Sequence, residues 1–254
     1  MTQTVLSPEL LARIHQRAAT HDREASFPHQ DLAELQEAGY LKAFVPTELG
    51  GLGLGLVDVV QPQIALAKAS PATALAVNMH LVVTGIAHQL SARGDDGLAF
   101  VLSDAAAGEV FAFGNSEAGN DLVMCDSLTR AETAADGSVT YTGTKIFTSL
   151  SPAWTRLAVF GRDDADPDNP QLVHGIISRT TPGITVKDDW DVLGMRATQS
   201  CTTVLAGVRA EADRVYRRLP VGPSADPFIF SLFANFLVLI AAVYAGIGER
   251  AIEL

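Results

Sequence analysis

Apolar positions recur at helical spacing through the first hundred residues of the chain and then change to short strand-like runs. Ser7-Pro8-Glu9 reads as a helix start, with a hydroxyl ahead of proline and an acid in the first turn, and Leu10, Leu11, Ile14 and Ala18 follow on one face. Leu32 and Leu35 repeat the pattern over residues 31–38, and Gly39 suits the position just past a helix end. Val57, Val60, Ile64 and Ala67 predict a helix over 57–68. Ser70-Pro71 caps a longer one reaching residue 90, and 97–103 predicts a short helix.

From residue 109 the period changes. Residues 110–114, 127–133, 139–143, 157–161, 173–178, 184–187 and 202–208 read as strands, with Asp136-Gly137 and Pro182-Gly183 as turn signals. Strands that follow one another without intervening helices imply an antiparallel barrel or sandwich rather than a doubly wound sheet. Helical character returns near residue 226. The expected fold class is α+β, with an all-α domain over 1–108, a middle β-domain over 109–222 and a further helical segment over 223–254.

Composition narrows the function without naming it. Hydrophobic residues make up 48% and charged residues 19%, which excludes global disorder. A net charge of −11 argues against nucleic acid as the main partner, because phosphate binding needs a basic face. Cys125 and Cys201 give no disulfide framework and no metal spacing, and both are expected to be free thiols. Residues 1–8 lack the pattern of a signal peptide, so a cytoplasmic location is expected. The uncharged run 228–248 is long enough to cross a bilayer. Ser231 and Asn235 within it, and the lack of a flanking basic cluster, favour a helix buried on all sides over a membrane span.

Candidate chemistry concentrates in two stretches. Residues 110–121 (Val-Phe-Ala-Phe-Gly-Asn-Ser-Glu-Ala-Gly-Asn-Asp) read as an apolar strand opening into a turn of small hydroxyl and amide residues. Such a turn can present backbone N–H groups to a flat heteroaromatic ligand or its phosphates. Residues 143–149 (Gly-Thr-Lys-Ile-Phe-Thr-Ser) add one ring and a second hydroxyl cluster. Elsewhere the bland reading prevails. The glycines of 48–55 lack the Lys-Ser/Thr of a phosphate loop, Asp164, Asp166 and Asp168 lack the rest of a calcium loop, and 188–191 reads as an acidic turn. Lys145 reads as a strand-edge residue rather than a nucleophile, and no metal site is expected.

Four segments in order along the chain resemble the acyl-CoA dehydrogenase superfamily of flavoproteins. Ala38-Gly39-Tyr40-Leu41 with residues 46–53 is similar to its N-terminal signature, 113–121 to its flavin stretch, 143–149 to its Gly-x-Lys-x-Trp-Ile-Thr segment, and Leu193-Gly194-Met195-Arg196-Ala197-Thr198 to the motif closing the β-domain. The resemblance implies that Phe113, Asn115 and Ser116 line the flavin, that Phe147 replaces the tryptophan on the ring face, and that Ser149 replaces the threonine at flavin N5. Asn120 would meet pyrophosphate or the pantetheine of a substrate. Ser116–Asp121 of this chain is two residues shorter than the family pattern. The segment 223–254 resembles only the first helix of the family's C-terminal bundle, and the catalytic base of a dehydrogenase would follow Leu254.

The implied activity is FAD-dependent α,β-dehydrogenation of an acyl-CoA thioester in fatty acid metabolism, with FMN as the other possible flavin and an electron-transferring flavoprotein as partner. A second reading is a monooxygenase on the same fold, fed reduced flavin by a flavin reductase and using His80 with Ser149. A third is a membrane-anchored or assembly protein attached through 228–248. By analogy a homodimer or homotetramer is expected.

Overall fold

A computed structural model of the chain describes residues 5–122 and 124–253. It folds as two compact units, one made of 1–110, 191–199 and 231–254, the other of 111–190 and 200–230.

The first unit is helical. It comprises α1 (Pro8–Glu24), α2 (His29–Glu37), α3 (Leu56–Ala69), α4 (Pro71–Ser91), α5 (Ala99–Ala106) and all but the first turn of α6 (Pro227–Ile252). The anticipated start signals operate: the Ser7 hydroxyl accepts from the Leu10 N–H, and the Ser70 hydroxyl from the Thr73 N–H. α4 is buried along most of its length. Arg17 on α1 joins Asp31 and Glu34 on α2. The segment 191–199 is tied to the end of α1, where Arg196 Nε donates to the Asp22 carbonyl and Gln199 Nε2 to that of Ala25.

The second unit is one eight-stranded sheet: β1 (Phe111–Gly114), β2 (Arg130–Thr133), β3 (Val139–Thr148), β4 (Arg156–Asp163), β5 (Gln171–Ser178), β6 (Ile184–Val186), β7 (Cys201–Ala210) and β8 (Val215–Pro220). The order is β6-β7-β3-β2-β4-β5-β8, with β1 paired to β4. Two pairings, β1 with β4 and β2 with β4, are parallel, so the sheet is mixed rather than purely antiparallel. The Tyr141 hydroxyl on β3 donates to the Val173 carbonyl on β5, although β2 and β4 lie between these strands in the sheet order. β8 had no counterpart in the sequence pattern: two arginines and a terminal proline obscure its alternation. The segments 139–143 and 143–149 form one continuous strand, β3.

Helix α6 corrects one expectation. It is long and apolar enough to cross a membrane, yet only 39% of its most apolar window is buried, so it is not covered on all sides. Leu232, Asn235, Leu239 and Val243 are buried, while Phe233, Leu237, Val238 and Tyr244 are exposed. Asn235 donates to Gln89 Oε1 on α4 and to the Ser231 carbonyl, which gives the polar side chain on the buried face its partners.

Gly246 permits the close approach of α6 to α3. A methyl there would lie 2.5 Å from the Ile64 carbonyl oxygen and 2.7 Å from Ala67 Cβ. Overpacking against backbone costs about 1–3 kcal/mol, against roughly 1 kcal/mol of helix propensity gained. Because the nearest atom is a backbone oxygen at 2.5 Å, the upper part of that range applies, and Gly246→Ala is expected to destabilise the protein by about 1–2 kcal/mol. Chemical denaturation reads this directly, and an unchanged midpoint would contradict the packing described.

Candidate functional site

The site begins with an irregularity in β3. Val139, Tyr141 and Lys145 are all buried, and simple alternation would bury Phe147 next. Instead the pairing of β3 with β7 slips between Lys145 and Thr148. Thr148 takes the interior position, while Phe147 turns outward with φ 57° and 58% exposure. Left-handed backbone at a non-glycine residue costs about 1–3 kcal/mol and persists only where neighbours hold it. The Ile146 N–H donates to the Ser116 carbonyl at 2.9 Å, and the Ser149 N–H to the Phe147 carbonyl at 2.9 Å. The Trp190 ring meets Phe147 edge-on, with centroids 6.0 Å apart and planes at 85°.

The Ile146–Ser116 bond joins the two sequence stretches. Ser116 is half-buried and Asn115 nearly buried, its amide reaching Met124 Sδ at 2.9 Å. Phe113 on β1 is half-buried beside Ala158 of β4. Ser149 is buried, with its Oγ 2.7 Å from the Ser200 Oγ. Phe113, Asn115, Ser116, Phe147 and Ser149 all belong to the β unit.

Glu117 holds this corner together. Its Oε1 accepts from Ser127 Oγ at 2.8 Å, Thr129 N at 2.9 Å, Thr129 Oγ1 at 2.6 Å and Lys145 Nζ at 2.7 Å. Its Oε2 accepts from Leu128 N at 2.7 Å and Asn120 Nδ2 at 2.8 Å. Burial works to raise the Glu117 pKa, but the Lys145 ammonium and the hydrogen bonds from Lys145, Thr129 and Leu128 outweigh it and hold the carboxyl at about 2. Burial pulls Lys145 down to about 8 against the attraction of Glu117, so it remains charged at neutral pH. Its ammonium also lies 4.4 Å from the Phe160 ring centroid. The expectation of a strand-edge lysine is overturned: β3 runs between β2 and β7, and Lys145 is fully buried. The signal was present, since a lysine in phase with Val139 and Tyr141 faces inward and requires an acid.

The side chains of two other candidates make hydrogen bonds within their own units. Asn120 donates to Glu117 and to the Asp126 carbonyl and accepts from the Leu122 N–H, so its side chain stitches its own loop. His80 lies in the helical unit, 1% exposed, with Nε2 donating to the Leu41 carbonyl at 2.6 Å. Burial lowers its pKa to about 4 despite that bond, leaving it neutral at physiological pH. A separate cleft of about 540 Å³ in the β unit is lined by Arg156, Ser178, Thr181, Arg209 and Arg214 among others. It includes none of the candidate residues, and Arg209 there is already paired with Asp136 and Glu211.

The acyl-CoA dehydrogenase N-terminal domain model matches residues 9–117. L-evernosamine nitrososynthase from a Micromonospora species is 30% identical over 261 residues, covering 95% of this chain and 57% of that protein. The dibenzothiophene monooxygenase of Rhodococcus erythropolis is 28% identical over 245 residues, covering 93% and 57%. Among solved structures, KijD3 in complex with FMN and a dTDP-linked amino-keto sugar superposes with a TM-score of 0.82 at 28% identity, covering 99% of this chain and 65% of that one. Residues 9–117 thus carry the acyl-CoA dehydrogenase N-terminal domain, and the chain as a whole has the fold of KijD3. It spans somewhat over half the length of the curated relatives it matches.

At the corner formed by β1 and β3 the structure brings together the residues that the resemblance assigns to a flavin. An aromatic face is held out of the sheet at Phe147, and the half-buried Ser116 and the Ser149–Ser200 hydroxyl pair lie along the same two segments. Trp190, Ser200 and Glu117 were absent from the candidates read in the sequence. Trp190 there looked like part of an acidic turn, and nothing local pointed from Ser200 to Ser149, 51 residues away.

Because its folded pKa is about 2 against an ordinary 4.5, Glu117 binds its proton less readily in the folded chain. Its contribution is thus complete above pH 4.5 and drains away as pH falls toward 2. Glu117→Gln leaves Lys145 buried without its counter-charge and is expected to cost about 3–5 kcal/mol at pH 7. Thermal midpoints measured between pH 6 and pH 3 check both statements, using buffers at roughly half-unit steps. The variant should show a shallower acid slope than the parent, and equal slopes would remove Glu117 as the cause.

Proposed function

We propose that the chain supplies the flavin-binding part of a reduced-flavin-dependent monooxygenase, with FMN the preferred flavin and a flavin reductase as the source of electrons. The observation that carries the flavin assignment is Phe147, exposed and left-handed at the β3 bulge beside Ser116 and Ser149. The contact with Trp190 leaves Phe147 58% exposed, and a flat ligand stacked on the ring would account for that exposure. In this reading Phe147 supports one face of the isoalloxazine, and backbone groups and the hydroxyl at Ser116 meet its pyrimidine edge. Ser149, paired with Ser200, would be the residue that offers a hydroxyl to the flavin. Reduced flavin supplies the activation of oxygen when bound. The chain's own residues fix the ring and the direction of the hydroxyl proton beside it.

Oxygenation is preferred to dehydrogenation because similar proteins covering over nine-tenths of the chain are named as a nitrososynthase and a dibenzothiophene monooxygenase. Acyl-CoA dehydrogenation, the first expectation from the resemblance, therefore gives way, and with it fatty acid metabolism and an electron-transferring flavoprotein. FMN is preferred to FAD because FMN accompanies the sugar ligand in the KijD3 complex. The substrate class proposed is a small molecule with an oxidisable nitrogen or sulfur, such as an amino sugar nucleotide or an aromatic thioether. A homo-oligomer and a cytoplasmic location remain parts of the proposal. Asn120 and His80 receive no chemical role in the conformation seen, because their polar atoms are engaged within the fold.

The test supplies the protein with reduced FMN and oxygen and follows oxygen incorporation into dibenzothiophene or a dTDP-amino sugar. A parallel arm adds an acyl-CoA to the oxidised flavoprotein without oxygen. Oxygenated product with no anaerobic bleaching is expected. Bleaching by the thioester would return the assignment to the dehydrogenases, and failure of the protein to bind any flavin would remove both.

A further inference from the structure

Trp190 sits in a segment attached to β7 at the level of the β3 bulge. The Lys187 N–H donates to the Thr202 carbonyl at 2.8 Å, and Asp189 Oδ1 accepts from the Thr202 N–H at 2.9 Å. Cys201, one residue before Thr202, pairs with Thr148 where the slipped register resumes. These bonds hold the Lys187 backbone and the Asp189 side chain to Thr202, and Trp190 follows directly. The indole is half-buried, and Phe147, which it meets edge-on, is 58% exposed. The positive ring edge of one aromatic directed at the face of the other is the favoured geometry for such a pair.

We propose that Trp190 is a positioning residue for the flavin, acting through Phe147. The bulge turns the Phe147 side chain out of the sheet, but the backbone alone does not fix the plane of its ring. A ring free to rotate about its χ2 axis would lose the entropy of that rotation each time a flavin stacked on it. The edge contact with Trp190 restricts the ring beforehand and shores up the left-handed backbone at Phe147. This inference rests on the flavin reading above, and only the aromatic character of residue 190 is asked to matter.

The test is titration of FMN into the full chain, read by quenching of flavin fluorescence and by the shift of its absorbance band, for the parent and for Trp190→Ala, Trp190→Phe and Phe147→Ala. Trp190→Ala is expected to weaken FMN binding about threefold to tenfold. Trp190→Phe keeps an aromatic edge and is expected to restore at least half of that loss, and Phe147→Ala should weaken binding at least as much as Trp190→Ala. Parent-like affinity in Trp190→Ala would overturn the inference while leaving the flavin reading standing. Equal loss in Trp190→Ala and Trp190→Phe would also overturn it, by showing that the indole itself and not an aromatic edge is needed. Absence of FMN binding in the parent would instead overturn the flavin reading. Should Trp190→Ala fold poorly, Trp190→Phe and Trp190→Leu, compared at matched thermal midpoints, decide the same question.

Discussion

The β unit depends on a buried ion pair. Two charges withdrawn from water cost several kcal/mol each, and their attraction offsets this only if the remaining polar atoms are satisfied. Glu117 meets that condition through two hydroxyls, two backbone N–H groups, one amide and the Lys145 ammonium. All the partners except Lys145 lie between residues 120 and 129. The carboxylate therefore gathers a connection with little regular structure of its own and ties it to the centre of the sheet. Gly143 contributes by leaving space, since a methyl there would lie 2.5 Å from the Thr129 hydroxyl.

The same strand that contributes Lys145 carries the bulge two residues later. The ion pair and the bulge have complementary effects: one anchors the turn after β1, the other brings Phe147 out beside it. Functional groups mounted on strands are held more precisely than groups on loops. The strain of a left-handed phenylalanine is localised at a position where hydrogen bonds and an aromatic contact converge. The sheet alone does not choose between dehydrogenation and oxygenation, because one fold can host different chemistries.

Most of the architecture was legible from residue patterns, because helix starts and strand alternation are local. Ser7 and Ser70 act as caps, and every strand expected is present, although β3 runs on to Thr148, five residues past its expected end. β8 was missed because Arg217, Arg218 and Pro220 interrupt its apolar pattern, although pairing with β5 supplies the missing stabilisation. The run 228–248 was read as a helix, correctly, but its burial depends on which face meets α3 and α4, and composition carries no such information. The parallel placement of β1 beside β4 likewise depends on a pairing 45 residues apart in sequence, between Phe111 and Arg156.

For the site, the sequence determined which residues were available: two short stretches rich in hydroxyls and rings, and an inward-phased lysine in need of an acid. Tertiary structure decided what each one touches. Period-two alternation assigns Phe147 to the interior, and only the slipped pairing with β7 turns it outward. Ser200 reaches Ser149 and Trp190 reaches Phe147 only once β7 lies alongside β3. His80 Nε2 and the Asn120 amide are held by the Leu41 and Asp126 carbonyls, contacts that no local pattern announces. Residue type and local spacing set the repertoire, and strand register, a non-local property, set the contacts.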